Sequence, residues 1–225
     1  MKRLCLTLCI ALSSITSINS FAQDKLKWEG QIGMNISKFT GGYDSQIGYH
    51  IGARAKTEIP SLANGIYANA GAFLTLKGAS FDFGDLGNSR TNMNYLEIPI
   101  HIGYQYAIND QFTVFGEFGP YFSVGLFGKT KGEELDYNDY FDEITTSYSY
   151  NTFDDFKRFD FGLGLRFGIE FRQKYTLSIG YDFGLIDNWK QTESNDTETD
   201  ITGEEIDLTG SLKNRNLTIG IGYKF

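Results

Sequence analysis

His50 and His101 are the two histidines of this chain, and neither belongs to a serine-containing motif. Acyl transfer needs a nucleophile and a base oriented by a third group. An envelope enzyme such as a lipid A deacylase or acyltransferase is therefore not expected, and no residue is assigned a catalytic, cofactor-binding or metal-binding role. Gly162-x-Gly164 lies inside an alternating strand pattern with no helix after it, so it is not a nucleotide loop. Asp196-x-Glu198-x-Asp200 followed by Asp207 is similar to a calcium loop. Ile201, however, stands where such a loop needs Gly for its sharp turn, and no calcium site is assigned.

The remaining ionisable residues fall into two sets. Glu29, Arg54, Lys56, Glu58, Lys77, Glu97, Glu117, Asp160, Arg166, Glu170, Asp182 and Lys224 share strand positions with Gly48, Gly52, Gly71, Gly103, Gly162, Gly164, Gly168, Gly180, Gly220 and Gly222. Two loop stretches hold the second set. In 128–157 are Glu133, Glu134, Asp136, Asp139, Asp142, Glu143, Asp154 and Asp155, with five Tyr and Phe residues between 137 and 150. In 185–213 are Asp187, Glu193, Asp196, Glu198, Asp200, Glu204, Glu205 and Asp207. Together they carry more than half of the 28 acids.

Period-two alternation supplies the elements that position these groups. Arg215, Leu217, Ile219, Ile221, Tyr223 and Phe225 share a face opposite Asn216, Thr218, Gly220, Gly222 and Lys224. Phe159 to Phe171 alternates equally cleanly, and so does Tyr175 to Phe183. Weaker versions run over 28–39, 46–59, 66–77, 94–106 and 112–127, giving about eight strands of a length that crosses a bilayer obliquely. Pro99 falls mid-strand and removes a ladder donor, which predicts a bulge there.

Short connections (60–65, 109–111 and 172–174) alternate with longer ones (40–45, 78–91, 128–157 and 185–213), placing every short turn at one end. Trp28, Tyr104, Tyr106, Phe112, Phe171, Tyr175, Tyr223 and Phe225 gather near those turns, as an interfacial aromatic girdle would. A soluble sandwich or lipocalin-like barrel has no reason to sort its loops this way. The expected fold is all-β, a transmembrane antiparallel up-and-down β-barrel of about eight strands. The mean hydropathy of −0.28 does not oppose it, because alternating strands hide their apolar residues.

Met1-Lys2-Arg3, the apolar run from Leu4 to Ile18 and Ser20-Phe21-Ala22 have the layout of a secretory signal cleaved after Ala22. The run is short and hydroxyl-rich for a membrane anchor. Bulky Leu8 and the brief stretch before Cys9 speak against lipid attachment at Cys9. The expected division is thus 1–22 signal peptide and 23–225 barrel. Both cysteines, Cys5 and Cys9, leave with the signal, so the mature chain has no disulfide or thiolate site. Loss of Lys2 and Arg3 moves the net charge from −8 to −10. With no Lys/Arg cluster, a nucleic-acid partner is excluded.

Tyr95-Leu-Glu-Ile-Pro-Ile100, Gly119-Pro-Tyr121, Phe159-Asp-Phe-Gly-Leu-Gly164 and the ending Thr218-Ile-Gly-Ile-Gly-Tyr-Lys-Phe225 resemble the PorT-family outer-membrane barrels of Bacteroidota, the outer membrane protein beta-barrel domain. The resemblance covers nearly all of the mature chain, and the terminal Phe225 is similar to the aromatic end by which such barrels are recognised for assembly. It implies an integral outer-membrane location. The founding member's tie to protein secretion does not carry over by itself.

A barrel of about eight strands has an interior that side chains can fill. The balanced charges and glycines are therefore expected to form a plugged, ion-paired lumen, with His50 and His101 pointing inward. The expected function is a non-enzymatic outer-membrane protein with a structural or surface-interaction role through acidic outside loops. The alternatives are a small-solute porin-like channel and an accessory factor in protein secretion. Expected partners are outer-membrane lipid and lipopolysaccharide, plus an unidentified protein or glycan at the loops. Both termini are expected on the periplasmic side, and no cofactor is expected.

Overall fold

The structure is a computed structural model that describes residues 26–41, 43–82, 87–137, 143–190 and 211–225. The expected signal peptide, 1–22, and the calcium-loop-like stretch 196–207 lie outside the described residues.

Nine antiparallel strands are present among the described residues: β1 (Leu26–Phe39), β2 (Asp44–Glu58), β3 (Ile66–Asp82), β4 (Gly87–Ala107), β5 (Phe112–Tyr137), β6 (Glu143–Asn151), β7 (Phe159–Phe171), β8 (Tyr175–Gly184) and β9 (Asn214–Lys224). The order β4-β3-β2-β1-β9-β8-β7-β5 closes on itself through β4–β5 pairing, giving a ring of eight. Among the described residues β6 stands outside the ring and pairs with β5 alone. The fold expectation therefore holds, and the ninth strand is an addition within the stretch read from sequence as loop.

The alternation resolves as expected. Ile32, Met34, Ile51, Ile100, Phe118, Phe167, Ile179 and Ile221 are exposed on the outer face, while polar residues between them are buried. An apolar exterior over a polar interior inverts the soluble arrangement. The short connections, 59–65, 108–111 and 172–174, share one end, here called the turn end. Near it Phe112 lies against Phe171 (5.1 Å between centroids) and Tyr175 against Tyr223 (5.5 Å). Register places Phe112, Phe171, Tyr175 and Tyr223 in one cross-strand row over four strands.

Two expectations need correction. Pro99 causes no bulge: the β4–β5 register is the same at Pro99↔Tyr121 and Ile102↔Phe118, and the ladder only opens between them, opposite Pro120. The bulge lies instead at Leu126, the residue of β5 left over between Asn94↔Phe127 and Tyr95↔Gly125. Its carbonyl and that of Gly125 accept hydrogen bonds from Arg158 Nη1, at 3.0 and 2.9 Å. The second correction concerns length. β3, β4 and β5 run for 17, 21 and 26 residues, well past the apolar band, so much of the expected 78–91 and 128–157 loops is strand.

Candidate functional site

The lumen gathers the ionisable residues in layers. Nearest the turn end, Lys224 pairs with Glu170, and Lys56 donates to Gln105 while its ammonium lies 3.8 Å from the Tyr67 ring centroid. This layer floors a vestibule of about 670 Å³ that opens at the turn end.

Glu117 of β5 organises the middle. Its Oε2 lies 3.3 Å from Arg54 Nη1 and 3.4 Å from Arg166 Nε, and its Oε1 accepts from Tyr67 Oη at 2.8 Å. Arg54 also reaches Glu29 at 3.3 Å and donates to Gln31, which accepts from Arg166 as well. All of these side chains are buried. Ionic groups so enclosed persist only when paired and hydrogen-bonded, and here each carboxylate meets a cation from a different strand.

His50 and His101, predicted inward, both line one small cavity of about 40 Å³, together with Glu97, Arg166 and Asp182. His50 Nδ1 is 2.7 Å from Asn35 Oδ1 and Nε2 is 3.4 Å from Gln31. His101 Nδ1 lies 3.8 Å from Glu117. Neither ring bonds a hydroxyl among the described residues, so the geometry offers no nucleophile–base pair there.

Above it, Lys77 is fully enclosed, 2.5 Å from Glu97 and 4.0 Å from Asp160. Asp160 accepts from Tyr121 Oη (3.2 Å) and Asn214 Nδ2 (2.8 Å). The loop end is then closed by an apolar cluster of Phe39, Ala79, Met93, Tyr95, Phe153, Phe156 and Leu212. Phe153 and Phe156 come from the segment after β6. A 3-10 turn, Thr152–Asp154, whose first residues are capped by Asn151, aims them inward. Phe156 stacks on Phe39 (5.3 Å), and Lys190 Nζ donates to the Phe153 carbonyl at 2.7 Å, tying the 185–190 segment over the plug.

Eleven of the twelve sequence-predicted lumenal charges converge inside. Glu58 is the exception: it sits at the turn-end rim, half exposed, where Lys27 Nζ donates to it at 3.0 Å. That hydrogen bond holds the Glu58 carboxyl below the usual carboxylate range. Sequence reasoning missed the polar linkers Gln31 and Asn35, although both share the parity of Glu29. It also missed the plug, whose only sequence signal is two phenylalanines three residues apart in a polar stretch.

Four of the glycines expected inside, Gly52, Gly103, Gly162 and Gly168, together with Gly33, make room for rings on facing strands. Five lumenal rings stand directly across a strand pair from a glycine: Tyr67 from Gly103, Phe73 from Gly52, Phe115 from Gly168, Tyr121 from Gly162 and His50 from Gly33. A Cβ at any of these glycines would collide with the ring it faces.

The family described as outer membrane protein beta-barrel domain matches residues 21–190. The chain belongs to that family. The barrel is thus an integral outer-membrane protein, and its apolar exterior faces lipid. It is similar to Ail, the attachment invasion locus protein of Yersinia pestis (15% identity, 89% of this chain and 99% of that one, TM-score 0.40). It is also similar to Neisserial surface protein A (10%, 89% and 97%, 0.45) and to OprG from Pseudomonas aeruginosa (12%, 89% and 96%, 0.43). A search of curated proteins found no match.

Beyond the membrane, β5 and β6 continue as a hairpin. Lys129, Lys131 and Glu133 are exposed on it, and Tyr148 and Tyr150 stack at 6.1 Å on its other face. Partial burial and the Asp155 carboxylate push the Tyr150 phenol up to about 12.

Proposed function

We propose that this outer-membrane barrel is non-enzymatic and non-conducting, and that it works as a scaffold presenting its loop-end hairpin and acidic loops for interaction outside the cell. One observation carries the reading. The interior is filled from the Lys56 layer to the Phe153–Phe156 plug, whereas β5 and β6 project beyond the apolar band, so the material available for contact is on the outside. A hydrated solute entering the turn-end vestibule meets the Lys224–Glu170 and Lys56–Gln105 layer, and behind it stands the Arg54–Glu117–Arg166 cluster, whose groups are already committed to one another.

In this reading the segment 1–22 is a signal removed after Ala22, and the mature chain from 23 is the barrel. Both termini lie on the periplasmic side, because strand ends next to short turns face the periplasm in such barrels. The sequence motifs support placement in the PorT branch of Bacteroidota. The partner is an outside protein or glycan, with lipopolysaccharide surrounding the rim. An accessory role in secretion, to which only the founding member of that branch is tied, draws on no feature of the lumen.

Two measurements test the proposal. Purified protein in planar bilayers is expected to give no discrete conductance steps; ion-permeable steps would put the porin-like channel first. A photo-crosslinker at Ser147 in whole cells is expected to trap a specific adduct, and its absence would remove the interaction role.

A further inference from the structure

On the outer face of β1 and β9 the apolar row stops at Ile36 and Leu217, which are direct cross-strand partners. The next outward positions are Lys38 and Arg215, again partners. Lys213 follows in register with Thr40, whose N–H donates to the Lys213 carbonyl and whose hydroxyl accepts from the Lys213 N–H, both at 3.0 Å. Like charges set opposite one another destabilise a sheet, yet Lys38, Arg215 and Lys213 adjoin in a chain of net charge −8. None of them belongs to an ion pair among the described residues. Asp187, which meets the neighbouring Leu212, spends its carboxylate on the N–H groups of Leu212 and Trp189.

Two residues cover about 7 Å of strand, of which a barrel tilt of about 40° leaves about 5 Å along the axis. The headgroup layer beside a hydrocarbon core is about as deep, roughly 5–7 Å. Lys38 and Arg215 therefore stand at headgroup height. Arg215 is fixed there: its Nη1 donates to the Gly184 and Asn214 carbonyls at 2.8 and 2.9 Å, and its guanidinium lies 5.9 Å from the Phe183 ring centroid. A guanidinium fork suits phosphate oxygens. Directly below, on the same two strands, a shallow apolar groove of about 390 Å³ is lined by Ile32, Met34, Ile36, Leu217, Ile219 and Ile221. A cationic head over an apolar groove has the shape of an anionic amphiphile. Arg90 and Lys131, opposite one another on β4 and β5 with Lys129 beside them, share the positive sign. Glu133 is exposed on that stretch as well, so the β1–β9 cluster is the less compensated of the two.

We infer that Lys38, Lys213 and Arg215 bind a phosphomonoester on the headgroup of an outer-leaflet glycolipid, one acyl chain of which lies in the groove below. A phosphomonoester carries a charge of about −1.5 to −2 at neutral pH, which balances this cluster better than the single charge of a phosphodiester. The inference rests on the reading that the loop end faces outside, and it makes one lipid at the rim a bound ligand.

The test titrates bis-phosphorylated lipid A into the full-length protein in neutral detergent and counts adducts by native mass spectrometry. One retained lipid A is expected. Removing its phosphates, or combining Lys38→Gln with Lys213→Gln in the protein, should each raise Kd at least tenfold, about 1.4 kcal/mol. Arg215→Gln should act likewise but also loses two carbonyl contacts, so the lysine pair decides, with unchanged heat-modifiable migration certifying its fold. Lys27→Gln with Lys174→Gln, at the turn end, should leave binding as it was. Equal binding of the dephosphorylated lipid or of phosphatidylglycerol, an unaffected lysine-pair variant, or equal loss in the turn-end variant would each overturn the inference. If the Ser147 crosslink persists while lipid A fails to bind, the interaction role stands and this site does not.

Discussion

Lys77 Nζ lies 2.5 Å from Glu97 Oε2 with the lysine side chain wholly enclosed, so the ammonium cannot exchange its partner for water. Lys77→Met or Glu97→Gln alone should each destabilise the barrel by about 3–5 kcal/mol, because each leaves an uncompensated buried charge. The pair Lys77→Met with Glu97→Leu should recover most of that loss. Urea unfolding in micelles checks all three. A double variant no better than the singles would mean that the pair is not the relevant unit and that Asp160 shares the charge.

Ring and glycine are equally interdependent across β3 and β4. A Cβ at Gly103 would come within 2.5–2.8 Å of the Tyr67 Cζ, Oη and Cε2 atoms. Gly103→Ala is expected to cost about 1–3 kcal/mol by overpacking. The same change in a Tyr67→Ala background should cost under about half as much, since the obstacle is gone. Equal costs in both backgrounds would contradict the contact.

The β7–β8 turn is held in a conformation its residues do not favour. Arg172 (φ 51°) and Gln173 (φ 57°) both occupy the left-handed region, the geometry for which an asparagine followed by a glycine is preferred in two-residue hairpins. The double substitution Arg172→Asn with Gln173→Gly should stabilise the barrel by about 1 kcal/mol. A lower urea midpoint for that variant would refute this.

At the turn-end rim, the Lys27 hydrogen bond depresses the Glu58 carboxyl. A depressed carboxylate contributes stability above its unfolded-state value, and that contribution is lost as pH falls through the folded value. Lys27→Ala should therefore move the Glu58 midpoint upward in a carboxyl NMR titration. High salt should shrink the difference, because both groups are solvent-exposed.

The eight-strand ring was readable because lipid on one side and ion pairs on the other impose strict alternation: Ile219, Ile221 and Tyr223 against Gly220 and Gly222 leave little choice of face. The overhangs of β3, β4 and β5 and the whole of β6 were not. Above the apolar band both faces meet polar surroundings, so Asn88-Ser-Arg-Thr-Asn92 and Thr145-Thr-Ser147 carry no contrast for a period to appear in. In the sequence Pro99 predicts a bulge because a closed sheet has no edge to receive it. The ladder instead tolerates local opening where Pro99 and Pro120 lie on neighbouring strands. Among the site residues, parity placed the charges inward, but their partners depend on layer height, which alternation does not encode. Glu58 shows the limit, for the correct parity at the end of β2 brings it to the rim.

The ring-to-glycine couples also bear on how the sheet can close. A slide of two residues keeps every greasy side chain toward lipid, so hydrophobicity alone would tolerate it. Such a slide would set Tyr67 against His101 or Gln105, and Phe115 against Arg166 or Glu170, bulk meeting bulk where the true alignment has none. The interior therefore works as a lock whose wards admit a single alignment of neighbouring strands at these couples.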